Sequence, residues 1–135
     1  MIRATDWEQR LNDYLAKHGE SAFQWGKLDC ALFAAGAVRA MTHKDPAHKF
    51  RGKYKTARGS VRALKRFGAG NLELTIADMF EECPPAFARR GDLALVDGEL
   101  GVMIGVVTGD VAVFIGDHGL ERRPMAMWRR CWRVG

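Results

Sequence analysis

The segment Cys30–Met41 constrains the fold more than any other part of the sequence, because it is apolar on nearly every face. A helix without a polar face is buried at the centre of a domain. Asp29 stands directly before it and has a side chain that suits a helix N-cap. Gly36 and several alanines leave room for neighbouring elements to approach the helix backbone. We therefore predict a central helix that begins at Cys30 and follows a loop through Trp25.

The remaining patterns predict helices first and strands afterwards. Apolar residues at helical spacing indicate three further helices, at about Thr5–Gly19, Thr56–Phe67 and Leu72–Glu82. Short alternating runs predict strands at Asp92–Val96, Leu100–Val107, Val111–Ile115 and Met127–Val134. Turns are predicted at Asp97–Gly98, Thr108–Asp110 and Asp117–Gly119. This order indicates one α+β domain, residues 1–135, with the Cys30 helix packed on an antiparallel sheet of about four to five strands.

The amino-acid composition is compatible with several classes of partner and does not select one of them. Lysine and arginine outnumber aspartate and glutamate by 21 to 16. This balance suits a nucleic-acid, cell-wall or phosphate-bearing partner, and it also suits a soluble protein with a basic face. Tryptophan and arginine alternate over residues 128–133, a pattern that could stack on nucleic acid. A terminal strand with two different faces explains the same residues, so nucleic acid is not the favoured partner.

The cysteines and histidines do not form a metal motif. The three cysteines are far apart and include no CxxC pair, and no histidine pair has a third ligand at a suitable spacing. We therefore expect no metal, no cofactor and no disulfide framework. The N-terminal residues lack the apolar run of a signal peptide, and no segment reaches membrane-spanning length. We expect synthesis in a reducing cytoplasm.

Cys30 is the candidate nucleophile. A helix N-terminus lowers the pKa of a thiol and so favours the reactive thiolate. The neighbouring carboxylate of Asp29 opposes this effect. The alternative interpretation is that Cys30 is a small hydrophobic residue at the start of a helix.

Five other residues are candidate binding residues: Trp25, Asp29, Arg51, Tyr54 and Asp92. Trp25 either walls a cleft beside the cysteine or fills the core. Arg51 and Tyr54 form a compact polar motif in a loop, where such residues tend to be functional. Alternatively, Arg51 closes a helix C-terminus or pairs with Asp29. Asp92 is expected to organise a turn before its strand.

Three short blocks, in the right order, resemble the NlpC/p60-type cell-wall peptidases of the papain-like superfamily. Trp25–Phe33 matches their W-G-x-x-D-C-x-x-F motif, Arg90–Val96 resembles their P-G-D-L strand, and Leu100–Gly105 resembles their H-V-G-I-Y-I-G strand. The resemblance covers about residues 20–116. It implies a papain-like fold with Cys30 in the position of the nucleophile.

The sequence departs from these peptidases at both catalytic partners. Their catalytic histidine opens the second strand, where this chain has Glu99. Their third polar residue falls within the apolar run Val111–Phe114. The resemblance therefore leaves Glu99 or His118 as an unconventional partner for Cys30. The alternative for His118 is an exposed turn residue, which histidine suits well.

The resemblance is nearest to a poorly characterised branch of phage and prophage proteins. That branch shares the Arg51–Tyr54 loop, the Gly119–Leu120 turn and the terminal tryptophan-arginine strand. It implies a tail-associated protein, a degenerate peptidase that serves in tail assembly or at the tail tip. Its partners would be other tail proteins and peptidoglycan peptide, and the chain, made in a bacterial cytoplasm, would join a phage particle. The alternative is an active cysteine peptidase or amidase that cleaves peptidoglycan stem peptides.

Overall fold

A computed structural model describes all of residues 1–135. The helices come first along the chain: α1 (Trp7–Lys17), α2 (Cys30–Thr42), α3 (Ala57–Phe67) and α4 (Leu72–Met79). The strands follow: β1 (Glu82–Cys83), β2 (Leu93–Gly98), β3 (Gly101–Val107), β4 (Val111–Gly116), β5 (Gly119–Pro124) and β6 (Arg130–Trp132). Single 3₁₀ turns lie at Pro85–Phe87 and Met125–Met127. None of the four helices combines the length and the apolarity that crossing a bilayer requires.

The six strands form one antiparallel sheet in the order β1-β6-β2-β3-β4-β5. The predicted α+β class is confirmed, and the sheet has one strand more than the upper prediction. The sequence pattern predicted a helix that extended into the two-residue strand β1, and it did not predict the polar strand β5. The C-terminal strand covers only Arg130–Trp132 and is shorter than the predicted Met127–Val134, and Met127 belongs to a 3₁₀ turn.

The β2–β3 hairpin turns later than the sequence suggested. Asp97 and Gly98 still belong to β2, and the connecting residues are Glu99 and Leu100. Gly98 pairs with Gly101 directly before and after this two-residue connection. Gly101 has φ +127°, a conformation that side chains other than glycine rarely adopt. The pair of glycines therefore fixes the position of the turn.

The core lies on both faces of the sheet. On one face, α2 packs through Phe33, Val38 and Met41, each with no exposed surface. On the other face, a second apolar cluster includes Phe114 and Trp128. Because β2 is covered on both sides, its first four residues are all apolar and buried.

Three of the four helices begin at a side-chain cap, whereas α1 follows Asp6, whose side chain accepts no capping hydrogen bond. The side chains of Asp29, Thr56 and Asn71 each accept a hydrogen bond from a backbone N–H in the first turn of their helix. The predicted start of α2 at Cys30 is therefore confirmed, together with its cap.

Asp92 joins the two ends of the chain. Its buried carboxylate accepts hydrogen bonds from the Arg3 guanidinium at 2.9 Å and from the backbone N–H groups of Val134 and Arg89 at 3.0 and 2.8 Å. Arg3 also donates to the carbonyl of Val134 at 2.6 Å, and Gly135 packs against the Arg3 backbone. The N- and C-terminal segments are thus held side by side through one carboxylate.

Candidate functional site

The loop before α2 is organised around the carboxylate of Asp29, of which 1% is exposed. One oxygen accepts from the backbone N–H of Leu32 at 3.0 Å and caps α2. The other accepts from the backbone N–H of Gly26 at 3.1 Å and from the Tyr54 hydroxyl at 2.5 Å. Every hydrogen bond of this carboxylate is therefore committed to holding the loop, the helix and the Tyr54 segment together.

Gly26 brings the Tyr54 segment close to the cysteine loop. Its φ is +80°, and a Cβ built at this position would lie 2.2 Å from the Tyr54 carbonyl oxygen. Burial, and then the hydrogen bond to Asp29, raise the pKa of Tyr54 well above its usual range. Tyr54 is therefore a neutral donor to Asp29 at physiological pH. The glycine and aspartate of the W-G-x-x-D-C motif act together as one structural junction.

Arg51 does not pair with Asp29, which was one of the alternatives for it. Its guanidinium binds Asp45 through two hydrogen bonds, at 2.5 and 3.2 Å. Asp45 lies six residues before Arg51 in the same loop, so it is the nearer carboxylate along the chain. Tyr54 takes the place beside Asp29 instead.

Cys30 is the first residue of α2 and is half-buried. Burial, with a smaller contribution from Asp29, raises the pKa of its thiol to about 11. The backbone N–H groups of Ile104 and Ala31 act in the opposite direction but do not outweigh burial. The helix N-terminus therefore does not produce a thiolate near neutral pH.

Cys30 opens onto an apolar cleft of about 210 Å³. Trp25, 39% exposed, lines this cleft rather than filling the core, and its ring packs edge-on against Phe23. The opposite walls come from α3, α4 and β3, through Leu64, Leu72, Ile76, Met79, Phe80, Val102 and Ile104. The cleft holds one ionisable carboxylate, Asp29, whose hydrogen bonds are those described above.

The alternation of β3 determines which of its residues reach the cleft. Val102 and Ile104 line it, whereas Met103 packs on the other face of the sheet. Glu99 lies beyond the start of the strand, at the exposed tip of the β2–β3 hairpin, and does not line the cleft. The strand nearest Cys30 thus presents aliphatic side chains where a base would be needed.

The histidines also lie away from the cleft. His118 is exposed in the turn between β4 and β5. His18 packs against the Tyr14 ring on another side of the molecule, with ring centroids 4.7 Å apart, and its Nδ1 lies 3.2 Å from the Ser21 hydroxyl oxygen. His43 follows the end of α2, and His48 is exposed in the next loop. None of the four lines the cleft.

The structure thus brings together only part of the predicted site. Cys30, Asp29, Trp25 and Tyr54 meet at the cleft, whereas Arg51, Asp92, Glu99 and His118 do not line it. Catalytic and binding roles for these residues stay predictions. The sequence analysis did not identify Val102 and Ile104 as the residues facing the cysteine, although strand alternation would have selected them once the turn was placed at Glu99. No three histidine, cysteine or acidic side chains cluster closely enough to hold a metal ion.

The sequence model of one protein family, described as "Domain of unknown function (DUF6950)", matches residues 2–134. The chain belongs to that family. No protein with a curated description matches the chain significantly.

Among solved structures, the chain is similar to the NlpC/p60 domain of the peptidoglycan hydrolase SagA. The TM-score is 0.60 at 11% sequence identity, and the match covers 93% of this chain and 97% of that domain. A further match is the P60 domain of antigen MAP1272c from M. avium paratuberculosis, with a TM-score of 0.43, 20% identity and 96% of each chain covered. This member of the DUF6950 family therefore has the papain-like fold of the NlpC/p60 domains, as its three motifs predicted.

Proposed function

We propose that this chain is a catalytically degenerate NlpC/p60-like domain, whose cleft binds a peptide of the bacterial cell wall without cleaving it. The observation that carries the proposal is the surroundings of Cys30: aliphatic side chains face the thiol from β3, and no histidine lines the cleft. Acyl transfer by cysteine needs a thiolate and an acid that protonates the leaving amine. With a thiol pKa of about 11, on the order of one molecule in ten thousand carries a thiolate near neutral pH.

The cleft itself supports a binding role. It is mostly apolar, it is concave, and its one carboxylate already has its hydrogen-bond donors. Such a surface suits the aliphatic parts of a short peptide. Peptidoglycan stem peptide is the proposed ligand class because the fold neighbour SagA is a peptidoglycan hydrolase.

The test compares binding and turnover in the same preparation. Val102→Trp places a large ring in the cleft, and Leu100→Trp places the same ring on the exposed hairpin tip as a matched control. We expect Val102→Trp to abolish binding of a labelled stem peptide in fluorescence anisotropy and Leu100→Trp to leave it unchanged. We expect muropeptide release to equal the protein-free blank for wild type and Cys30→Ala alike. Release that depends on Cys30 would overturn the proposal.

We place this role in a phage tail, where the domain would contribute to tail assembly or to the tail tip. The support is the sequence resemblance of the Arg51–Tyr54 loop, the Gly119–Leu120 turn and the terminal strand to phage and prophage proteins. Mass spectrometry of purified particles should detect the chain, and Cys30→Ala protein should be incorporated equally. Particles that assemble and infect without the chain would contradict this setting.

The second candidate function is an active peptidoglycan peptidase or amidase with Cys30 as nucleophile. It is favoured by the position of Cys30 at the start of α2, where the N–H groups of Ala31 and Ile104 lower the pKa of its thiol. Glu99 or His118 would then have to move to the cleft when substrate binds. The rate of Cys30 alkylation against pH separates the two candidates: a midpoint below about pH 7.5 supports the enzyme, and a midpoint near the pKa of about 11 supports the binding domain.

A further inference from the structure

A second surface is distinct from the cleft in its charge. Between Pro46 and Leu72 the chain contains eight lysines and arginines and no aspartate or glutamate. The formal net charge of the whole chain is +5, so the rest of the chain is net negative. Only Arg51 of these eight forms an ion pair, with Asp45. The other seven are exposed and form no ion pair, and we call them the α3 basic surface: Lys49, Lys53, Lys55, Arg58, Arg62, Lys65 and Arg66.

Two arginines elsewhere in the molecule, in contrast, form ion pairs within the fold. Arg129 and Arg130, in and beside β6, bind Glu73, Asp97 and Glu82 in one network. The tryptophans between which they alternate are buried, so the terminal strand has no exposed rings for stacking. Arg129 and Arg130 are therefore paired within the fold, and the two tryptophans beside them are buried. The α3 basic surface has no such internal partners.

The geometry of this surface points to an extended ligand. Arg58, Arg62 and Arg66 are spaced four residues apart, so they form one row on α3 with steps of about 6 Å along the helix axis. An open depression of about 500 Å³ runs beside this row, and Lys53, Lys55, Arg62 and Arg66 line it. Like charges at this spacing repel one another, and the repulsion is relieved when an anion binds between them.

The surface lacks the features of a protein interface. Such interfaces depend on buried aromatic or large apolar anchors, and Val61 is the only large apolar side chain that α3 exposes strongly. Phosphodiester polymers, in contrast, bind through many dispersed cations, with little need for apolar contact. The two rings beside the depression, Tyr54 and Phe67, are half-buried, which leaves little area for the base stacking by which single strands gain affinity beyond charge.

We propose that the α3 basic surface binds a phosphodiester polymer through its charged backbone, without reading any sequence. Tyr54 lines both the depression and the Cys30 cleft, so the bound polymer would lie beside the cleft. The ligand to which we assign the surface is a glycerol-phosphate polymer, because the half-buried rings of Tyr54 and Phe67 leave little area for base stacking.

The experiment measures anisotropy of a fluorescent twenty-nucleotide oligothymidylate at increasing NaCl. With about four phosphates neutralised, affinity should fall roughly 50-fold between 50 and 200 mM salt. For Arg62→Ala/Arg66→Ala, the same change in salt should reduce affinity only about sevenfold, from a weaker starting value. Lys17→Ala/Arg122→Ala removes two exposed, unpaired cations elsewhere and should behave like wild type. Arg62→Lys/Arg66→Lys keeps the charge and should retain binding.

Two further measurements with other polyanions identify the polymer and test whether the ligand is a phosphodiester. Poly(glycerol phosphate) of matched charge competes against the oligonucleotide: stronger competition by it supports the proposal, and weaker competition would overturn it in favour of a nucleic acid. Equal loss of binding in the two alanine pairs would overturn it, because only net charge would then matter. Equal affinity for poly-glutamate would also overturn it, in favour of an acidic protein partner.

Discussion

Asp29 and Cys30 are adjacent in sequence, yet they lie in opposite environments. The Asp29 carboxylate has three hydrogen-bond donors, from the loop, the helix and Tyr54. The Cys30 thiol faces aliphatic side chains of β3 and has no histidine in its cleft. The motif therefore has two separable properties, a structural junction and a reactive position. In this chain the junction is complete, whereas the cleft beside the cysteine is lined mostly by apolar side chains.

The largest expected effect is that of Asp29→Ala, which removes the N-cap of α2 and leaves two partly buried donors, the Gly26 N–H and the Tyr54 hydroxyl, without an acceptor. We expect the free energy of unfolding, measured in urea, to fall by about 3 kcal/mol. Asn71→Ala is the matched control, because Asn71 caps α4 at an exposed position and should cost about 1 kcal/mol. Equal losses in the two variants would show that Asp29 is only a cap.

Gly26→Ala should have the next largest effect. It forces a side chain into a left-handed conformation and against the Tyr54 backbone, so we expect a loss of more than about 2 kcal/mol. Gly52→Ala is the control, since Gly52 has a similar φ of +77° with nothing within 4 Å, and it should lose about 1 kcal/mol. If both variants lose the same, the close approach to Tyr54 contributes nothing.

Tyr54→Phe tests the remaining donor of the junction. It removes the hydrogen bond to a buried carboxylate, and we expect a loss of about 2 kcal/mol. Tyr14→Phe provides the comparison: its hydroxyl donates to the neutral carbonyl of Phe33 at 2.7 Å, and its removal should cost about 1 kcal/mol. A larger loss for Tyr14→Phe would contradict the importance of the Asp29 charge.

Cys30→Ala should have the smallest effect near neutral pH, under about 1 kcal/mol, because the thiol is half-buried. Its pH dependence is more informative. The unfolded thiol ionises near its ordinary pKa of 9, and the folded thiol near 11. Between these values the unfolded state releases the proton first, so this group lowers stability as pH rises. Wild type should therefore lose stability relative to Cys30→Ala from pH 9 to pH 11, and a parallel response would place the thiol in contact with solvent.

Local signals in the sequence were sufficient to predict where α2 and α3 begin. Asp29 and Thr56 indicated these two starts, because a capping side chain acts within the first turn of its own helix. The end of α4 was predicted too late, since Glu82 and Cys83 pair with β6, about fifty residues further along the chain. Pairing over that distance leaves no trace in the local pattern.

The site was harder to predict than the fold for a related reason. Asp97–Gly98 has the composition of a tight turn, but the glycine pair placed the turn two residues later. That shift determines which side chains of β3 approach Cys30. The partners of Asp29 and Arg51 likewise depend on the path of the loop, which spacing alone does not define. The family resemblance predicted the position of the cysteine, whereas the residues around it could be identified only from the three-dimensional packing.

The joining of the chain ends through Asp92 has a consequence for how this domain can be built into larger molecules. Since Arg3, Val134 and Gly135 are in contact, a short glycine linker should connect the termini without strain. New ends could then be opened at the exposed tip of Glu99 and Leu100. Such a circular permutant would keep the Asp29 junction intact. By the same geometry, partners fused at Met1 and Gly135 would emerge next to each other, so a donor and an acceptor dye placed there would report directly on whether the domain is folded.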